Sequence, residues 1–190
     1  MATRGRGRNA RSPGTDPVLN RRSERHVPVV LDEVNLQILS LLVDDARRSQ
    51  RAIGRLIGMS PAAVSERIAW LEERKVITGY RAQLSYVALD RGVTVFVGMT
   101  SVQGADQRQL AAQLLSLPVV QSVDVVMGRM DLMVRIRVRD HAHLREVFFD
   151  QILPLQGVHR TESLISLESI ESENFARDIL DSMRATADDE

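Results

Sequence analysis

The sequence contains no cysteine and only one lysine among its 190 residues. The missing thiols exclude a disulfide scaffold, thiol catalysis, iron–sulfur clusters and cysteine-based zinc sites. No apolar run approaches the roughly 18 residues of a membrane span, and the N-terminus has no apolar signal core. Apolar residues still make up 44% of the chain, which is enough for folded cores in one or two small domains. We therefore expect a soluble, cytoplasmic protein.

Positive and negative charges cancel overall but are separated along the chain. Residues 1–28 carry seven arginines against Asp16 and Glu24, a net charge of +5, whereas residues 29–84 carry +1 and residues 85–190 carry −6. Such asymmetry indicates a polyanionic partner at the basic end. The first 28 residues are rich in Gly, Ser and Pro and lack an apolar period. We expect a disordered basic arm that is either an idle solvated tail or a non-specific phosphate-binding segment.

Residues 29–84 are predicted to form three helices and a short β-hairpin or wing over residues 75–84. Asp32, Ser49 and Ser60 are N-cap signals, and Gly58 is a left-handed helix stop. The tight turn between the second and third helices has the spacing of a helix-turn-helix, and the close approach of these helices requires a small residue at Gly54. The predicted core positions are Val34, Ile38, Leu41, Leu42, Ile53, Leu56, Ile57, Val64, Ile68 and Leu71.

The outward face of the third helix suits the DNA major groove. Small residues near its start allow close approach, and Arg67 is placed to contact a base or a phosphate. Arginines before, on and after the second helix are placed to touch flanking phosphates. The alternative is an ordinary three-helix bundle that binds no DNA. The predicted DNA-binding residues are Arg47, Arg48, Arg51, Ser60, Pro61, Ala62, Ser65, Glu66, Arg67 and Arg81.

The second half of the chain alternates strands and helices in the order βαββαβ over residues 92–170. This order predicts a ferredoxin-like sandwich with both helices on one face of a four-stranded sheet. We expect the other face to carry apolar residues and to pair with another subunit. Residues 85–91 are predicted to be a linker. Residues 171–190 are predicted to form an acidic C-terminal helix or tail that packs on the sheet face or on a partner.

Several segments resemble the Lrp/AsnC family of transcriptional regulators over about residues 31–170. The resemblance implies an α+β protein with an N-terminal winged helix-turn-helix and a ferredoxin-like effector-binding and oligomerisation domain. It also implies a cytoplasmic, nucleoid-associated regulator that has no cofactor and binds specific double-stranded DNA as a homodimer, often within an octamer or larger ring. Its assembly and DNA binding would respond to an amino acid or a related metabolite. The matching segments are Leu31–Val34, Ser60–Ile68, Leu71–Glu72, Ile77–Tyr80, Val126–Asp131 and Gly157–Ser163.

The same resemblance places an effector pocket at Gly128, Met130, Asp131, Thr161 and Ser163. Glycine allows close backbone approach, the aspartate holds an ammonium group or only fixes its loop, and the two hydroxyls bond a carboxylate. The family commonly has an aromatic residue where this chain has Met130, and this departure bears on the shape of the pocket and on the identity of the effector.

Two other functions are compatible with this organisation. A ligand-independent architectural protein would organise DNA with low sequence specificity and would be indifferent to amino acids. A sirohaem-decarboxylase-like enzyme shares the two-domain shape and uses histidines near the pocket, for which His159 is the candidate. However, we find no nucleophile–base pair, phosphate loop or paired carboxylates, and His141 and His143 do not share a helix face. We therefore predict no catalytic residue, no metal site and no enzyme activity.

Overall fold

A computed structural model describes residues 28–187, and the described chain forms two compact units. The helical unit contains residues 28–84 and 169–187, and the sheet unit contains residues 85–168. The predicted basic arm lies, apart from its last residue, outside the described part of the chain.

The helical unit starts with three helices, and each begins at a predicted N-cap. The side-chain oxygens of Asp32, Ser49 and Ser60 accept backbone N–H bonds of 2.7, 3.2 and 3.1 Å. These bonds satisfy amide groups that have no partner within the first turn of a helix. The helices are α1 (Glu33–Asp44), α2 (Gln50–Ile57) and α3 (Pro61–Glu73).

Apolar side chains from all three helices form the core of the helical unit. Ile38, Ile53 and Leu71 are fully buried, as the helical period predicts. Leu56, which the same period assigned to the core, is 61% exposed. That assignment was wrong because the buried side of the short helix α2 is formed by Ile53 and Gly54.

The predicted β-hairpin over residues 75–84 is not formed, and the segment consists of turns and irregular backbone. The chain instead turns back on the end of α3. Lys75 adopts a left-handed φ of 60°, and the amides of Val76 and Ile77 donate to the Leu71 carbonyl at 2.9 and 3.2 Å. Val76 and Ile77 then pack against the helical core. The backbone amides that the first hairpin strand would have used are therefore bonded in a turn that caps α3.

The sheet unit has the predicted βαββαβ order and is ferredoxin-like. Its elements are β1 (Val93–Ser101), α4 (Gln107–Leu115), β2 (Val120–Val125), β3 (Leu132–Val138), α5 (His141–Glu146), which continues into a π-helical segment (Val147–Ile152), and β4 (Val158–Ile165). The strands form an antiparallel sheet in the order β2-β3-β1-β4. The last strand is shorter than the prediction, which extended it to residue 170.

One face of the sheet forms the core of this unit. Val97 and Val134 are fully buried with Leu114 of α4 and Ile152 of the π-helical segment, so both helical elements cover the same face. Successive residues of a strand point to opposite faces. The intervening residues are polar in part, and the Arg135 guanidinium lies 5.0 Å from the centroid of the Phe96 ring.

The predicted linker over residues 85–91 is a turn that belongs to the sheet unit. The Arg91 amide donates to the Tyr86 carbonyl at 2.8 Å and closes this turn. The Tyr86 ring lies 4.1 Å from the guanidinium of Arg137 on β3. The segment is thus held against the sheet by a cation–π contact.

The C-terminal helix α6 (Phe175–Ala187) belongs to the helical unit. It packs on α1, where Leu180 is 8% exposed and joins the helical core. The Arg177 guanidinium donates to both carboxylate oxygens of Asp44, at 2.6 and 2.7 Å. The helix itself was predicted, with the expectation that it packs on the sheet face or on a partner; within the helical unit it instead contributes Leu180 to the core.

Candidate nucleic-acid interface and effector region

The turn between α2 and α3 is built by three local features. Gly58 ends α2 with a left-handed φ of 72°, and its amide donates to the carbonyl of Gly54. The amide of Met59 donates to the same carbonyl at 2.8 Å. Ser60 then caps α3 and Pro61 occupies the first turn, where proline costs no intrahelical hydrogen bond. This turn fixes how the start of α3 is presented to solvent.

Gly54 is the point of closest approach within this motif. A Cβ atom added there would lie 2.4 Å from the Met59 carbonyl oxygen, which is part of the backbone and cannot rotate away. The predicted need for a small residue is therefore confirmed, and even alanine requires the turn to shift.

The exposed face of α3 contains most of the predicted DNA-binding residues. Ser60, Pro61, Ala62 and Glu66 are exposed and Ser65 is half-buried. The opposite side of the helix is in the core through Val64, Ile68 and Leu71. The N-terminal end of α3 is thus a small-residue surface that a DNA groove can approach.

Arg67 has a different environment from the one expected for a free DNA-binding side chain. Its Nη1 donates to both carboxylate oxygens of Asp32, at 2.8 and 2.6 Å, and to Oδ1 of Asn35 at 3.1 Å. Burial alone would raise the pKa of the Asp32 carboxyl, but the Arg67 hydrogen bond and the Asn35 amide together lower it. Arg67 therefore joins α3 to the N-terminus of α1.

The other predicted arginines are available to an anion. Arg47, Arg51 and Arg81 are exposed and Arg48 is half-buried. None of the four has an ion-pair partner among residues 28–187. Arg48 also lines a groove of about 300 Å³ together with Ser65, Ala69 and Tyr80. Exposed arginines without an ion-pair partner, one of them in a groove shared with α3, can contact the phosphates of a bound DNA.

In the sheet unit, the loop between β2 and β3 is tied to β1 by Asp131. Its carboxylate Oδ2 accepts from the Ser101 backbone amide at 2.7 Å and from the Ser101 hydroxyl at 2.9 Å. These two bonds lower the pKa of the Asp131 carboxyl, the backbone bond contributing most. Gly128, in the same loop, has a φ of 148°. Asp131 thus has a structural role, as one of the two sequence interpretations proposed.

The five predicted effector residues do not gather on one face of the sheet. Thr161 and Ser163 are paired with Met99 and Val97, which are both fully buried on the helix-covered face. Directly paired residues of antiparallel strands point to the same face. Met130 instead packs over Gly98: a Cβ atom added to Gly98 would lie 3.1 Å from the Cγ atom of Met130. Since Gly98 lies between Val97 and Met99, Met130 is on the opposite face.

A cavity that the sequence analysis missed lies at the end of the sheet unit near the start of α4. It has a volume of about 440 Å³ and is lined by residues that include Asp106, Gln109, Gln113 and Gly157. The Oε1 atom of Gln113 is buried and has no hydrogen-bond partner among the described residues. Glutamines on a helix follow no pattern that distinguishes a cavity wall from a solvated face, so the sequence held no signal for it.

The histidines considered for metal or catalytic roles are accounted for separately. The Nδ1 atom of His143 accepts from the Arg139 amide at 3.2 Å, which is a structural bond. His159 is exposed on β4. Among residues 28–187 there is no cluster of three or more His, Cys, Asp or Glu side chains that could hold a metal ion.

Comparison with known proteins assigns both units. Residues 31–72 match the AsnC-type helix-turn-helix domain, and residues 93–174 match the Lrp/AsnC ligand binding domain. The leucine-responsive regulatory protein of Haemophilus influenzae is 31% identical over 147 residues, which cover 76% of this chain and 89% of that protein. This chain belongs to the Lrp/AsnC family. The leucine-responsive regulatory protein of Escherichia coli K12 is also 31% identical, over 146 residues and the same shares of the two chains.

Solved structures of Lrp/AsnC regulators share the fold. Escherichia coli AsnC aligns with a TM-score of 0.71 at 24% identity, covering 76% of this chain and 97% of that one. Bacillus subtilis LrpC aligns with a TM-score of 0.66 at 26% identity, covering 76% and 99%. A transcriptional regulator of Neisseria meningitidis, solved as a complex with L-Met, aligns with a TM-score of 0.70 at 24% identity, covering 75% and 94%.

Family membership settles the class of function. The protein is a DNA-binding transcriptional regulator with a ligand-binding domain, and its relatives are regulators, not enzymes. The sequence prediction of this family and of no enzyme activity is confirmed. Among the described residues, no helix is both long enough and apolar enough to span a membrane. Helix α6 lies beyond the residues matched by either family domain.

Proposed function

We propose that this Lrp/AsnC regulator binds specific double-stranded DNA and that an amino acid controls this binding. The observation that carries the DNA-binding part is the exposed, small-residue start of α3 in a helical unit that also presents four arginines without an ion-pair partner among residues 28–187. The effector part is supported by the matched ligand-binding domain and by relatives named for their response to leucine. The alternative of a ligand-independent architectural protein has no observation in its favour.

In the proposed complex, Ser60, Pro61, Ala62, Ser65 and Glu66 approach the major groove. Small side chains let the helix end enter the groove, and serine hydroxyls donate to phosphate or base acceptors. Arg47, Arg48, Arg51 and Arg81 would contact flanking phosphates. Arg67 would act mainly by holding α3 against α1. A dimer would read two half-sites spaced by about one helical turn or a multiple of it.

Two arginine variants test this interface against a matched control. Arg48→Ala and Arg51→Ala should each weaken binding to all DNA sequences and reduce the slope of log K against log salt by about 1. Arg108→Ala in the sheet unit removes one cation outside the proposed interface and should change neither. If Arg48→Ala and Arg51→Ala showed the same salt slope as the Arg108→Ala control, the DNA would bind elsewhere on the protein.

In the proposed effector region, Asp131 keeps its structural bond and also receives the ligand. Its Oδ2 accepts both Ser101 bonds, and no described residue donates to Oδ1. That free oxygen would take an ammonium group, while Gly128 permits backbone approach and Met130 shapes the apolar wall. Thr161 and Ser163 point to the other face, so they would complete this site only if the strand edge or a second subunit supplied a common space. We retain them as proposed effector residues on that condition.

The second face of the sheet is the proposed dimer surface, and larger rings would follow from further contacts between dimers. Size-exclusion chromatography with light scattering gives the oligomeric state directly. A variant with Phe96→Asp would place a charge at the centre of this face and should shift the assembly toward smaller species. A monomer for the unmodified protein at micromolar concentration would refute this assignment.

The effector proposal is tested by thermal melting against a panel of single amino acids. A ligand at 100 times its Kd stabilises its domain by about 2.7 kcal/mol, which is several degrees for a domain of this size. Asp131→Asn retains an oxygen for Ser101 but loses the charge, so it should fold normally and lose the shift. Ser101→Ala should keep the shift. A flat panel for the unmodified protein would contradict the amino-acid effector.

A further inference from the structure

The docking of α6 on α1 is a feature that neither matched family domain contains. Helix α6 begins after residue 174, where the ligand-binding match ends, yet it returns to the helical unit. Asp44 and Arg177, which meet there, are 133 residues apart in the sequence. This return gives the helical unit two covalent connections to the sheet unit, one before β1 and one after β4.

The contacts between α6 and α1 are specific in position. Asp44, near the end of α1, receives two hydrogen bonds from Nη1 of Arg177. Glu33, at the start of α1, lies 3.4 Å from Nε of Arg184. Leu180, between these two arginines, is buried in the helical core. Two ion pairs at opposite ends of α1 and one buried leucine between them define a single orientation for α6.

Helix α6 and the recognition helix use different sides of α1. Asp32 and Asn35 of the α1 N-terminal region bond Arg67 of α3. Glu33 and Asp44 instead contact α6. The docked helix therefore leaves the start of α3 open, so α6 does not act by covering the DNA-binding surface.

The contact between α6 and α1 is also weak enough for α6 to detach. Within residues 175–186 of α6, Leu180 is the one buried residue, and the apolar side chains of Phe175, Ile179 and Met183 are 67%, 44% and 38% exposed. Both ion pairs are partly exposed to solvent and so weakly stabilising. A cleft of about 300 Å³ remains beside the helix pair, bordered by Leu56. Elements with few buried contacts open most readily in folded proteins.

We propose that α6 is a releasable latch that docks on α1 and restrains the DNA-binding unit from its C-terminal side. In the docked state α1 is covered on both sides, and the unit is held at both of its connections. In the released state the unit is held only by the segment before β1. The partner of the α1 surface is thus this chain's own C-terminal helix. Release would widen the range of half-site spacings that a dimer can bind, a consequence that rests on the proposed function.

Hydrogen exchange on the full-length protein tests the latch directly. Arg177→Glu places like charges against Asp44 and should accelerate exchange of α1 and α6 amides by about tenfold. The double variant Arg177→Glu/Asp44→Arg restores opposite charges and should recover protection. Asp178→Lys is the matched control, because Asp178 is exposed and its carboxylate forms no ion pair among residues 28–187, and it should leave exchange unchanged. Unchanged exchange in Arg177→Glu would overturn the latch.

DNA binding by the full-length variants gives a second test. On DNA, Arg177→Glu should tolerate half-sites moved by about half a helical turn better than the unmodified protein does. If exchange responds but spacing tolerance does not, the latch docks without restraining the unit, and the proposal fails at that step. If the unmodified protein did not bind DNA at all, the proposed function itself would be refuted.

Discussion

Whether Arg67 reads DNA or holds two helices together can be decided by changing its partner Asp32. This aspartate performs two tasks: it caps α1 by accepting from the Asn35 amide at 2.7 Å, and it pairs with Arg67 at 2.6 Å. Asparagine caps a helix about as well as aspartate but carries no charge. Asp32→Asn therefore removes the ion pair and keeps the cap, whereas Asp32→Ala removes both.

The two tasks differ in their expected contribution to stability. Loss of an N-cap costs about 1 kcal/mol. The ion pair contributes less, roughly 0.5 kcal/mol, because its side chains are 33% and 53% exposed and are screened by solvent. We expect Asp32→Ala to lower the free energy of unfolding of the helical unit by about 1.5 kcal/mol and Asp32→Asn by about 0.5 kcal/mol. For a domain of this size, 1 kcal/mol corresponds to a Tm change of about 4–8 °C.

Thermal unfolding followed by circular dichroism, at pH 7 and again near pH 3, measures both contributions. The pKa of Asp32 is lowered in the folded protein. Its charged form therefore adds stability above the ordinary carboxyl pKa, and this stability is lost as the pH falls through the lowered value. The difference between the unmodified protein and Asp32→Asn should narrow on acidification. Equal losses for Asp32→Asn and Asp32→Ala at pH 7 would refute the division between cap and ion pair.

The same variants address DNA binding. If Arg67 is mainly a helix connector, Arg67→Ala should destabilise the helical unit and leave the salt slope of DNA binding unchanged. A slope reduced by about 1 with no loss of stability would show that Arg67 contacts a phosphate, and the connector interpretation would be wrong. Asp32→Asn frees the guanidinium, so tighter DNA binding in that variant would point to the same conclusion.

Three further predictions concern other positions. Gly54→Ala should lower the stability of the helical unit by about 1 kcal/mol, because a clash costing about 2 kcal/mol outweighs a gain of about 1 kcal/mol in helix propensity. An unchanged Tm would mean that the turn shifts without cost. Gly98→Ala should be nearly neutral in the same assay, because the neighbour 3.1 Å away is the flexible Met130 side chain. Asp131→Ala should lower the Tm of the sheet unit more at pH 7 than below the lowered pKa of this carboxyl, where the native charge is already lost. A pH-independent difference would contradict the role of the charged form.

Features encoded by neighbouring residues were predictable from the sequence. The N-caps at Asp32, Ser49 and Ser60 act on amides within the next turn, so residue type and position suffice to locate the helix starts. The alternation of β3, with Leu132 and Val134 buried, likewise follows from a period of two. The β-hairpin over residues 75–84 failed because a left-handed residue and two amide bonds to α3 compete for the same backbone, and this competition leaves no mark on composition.

Features that depend on distant pairing were not predictable. The partner of Arg67 is 35 residues away and that of Arg177 is 133 residues away, so neither role could be derived from local spacing. The effector residues show the same limit in the sheet. Thr161 and Ser163 were grouped with Met130 because the resemblance to the Lrp/AsnC family places an effector pocket at these positions. The pairing register places them on opposite faces, and a register shift of one residue would have reversed that outcome.

Asp131 depends both on its local loop sequence and on a distant strand pairing. A carboxylate in a ligand-binding domain therefore need not be assigned to one role. The loop carries the residue, but the register of β1 brings Ser101 to its Oδ2. These two bonds fix the direction of the carboxylate through Oδ2, whereas no described residue donates to Oδ1. A group that was only a ligand would have to be ordered when the effector binds, at a cost in conformational entropy. A group that is already ordered by Ser101 avoids this cost, so the structural bond and the proposed ammonium contact support each other.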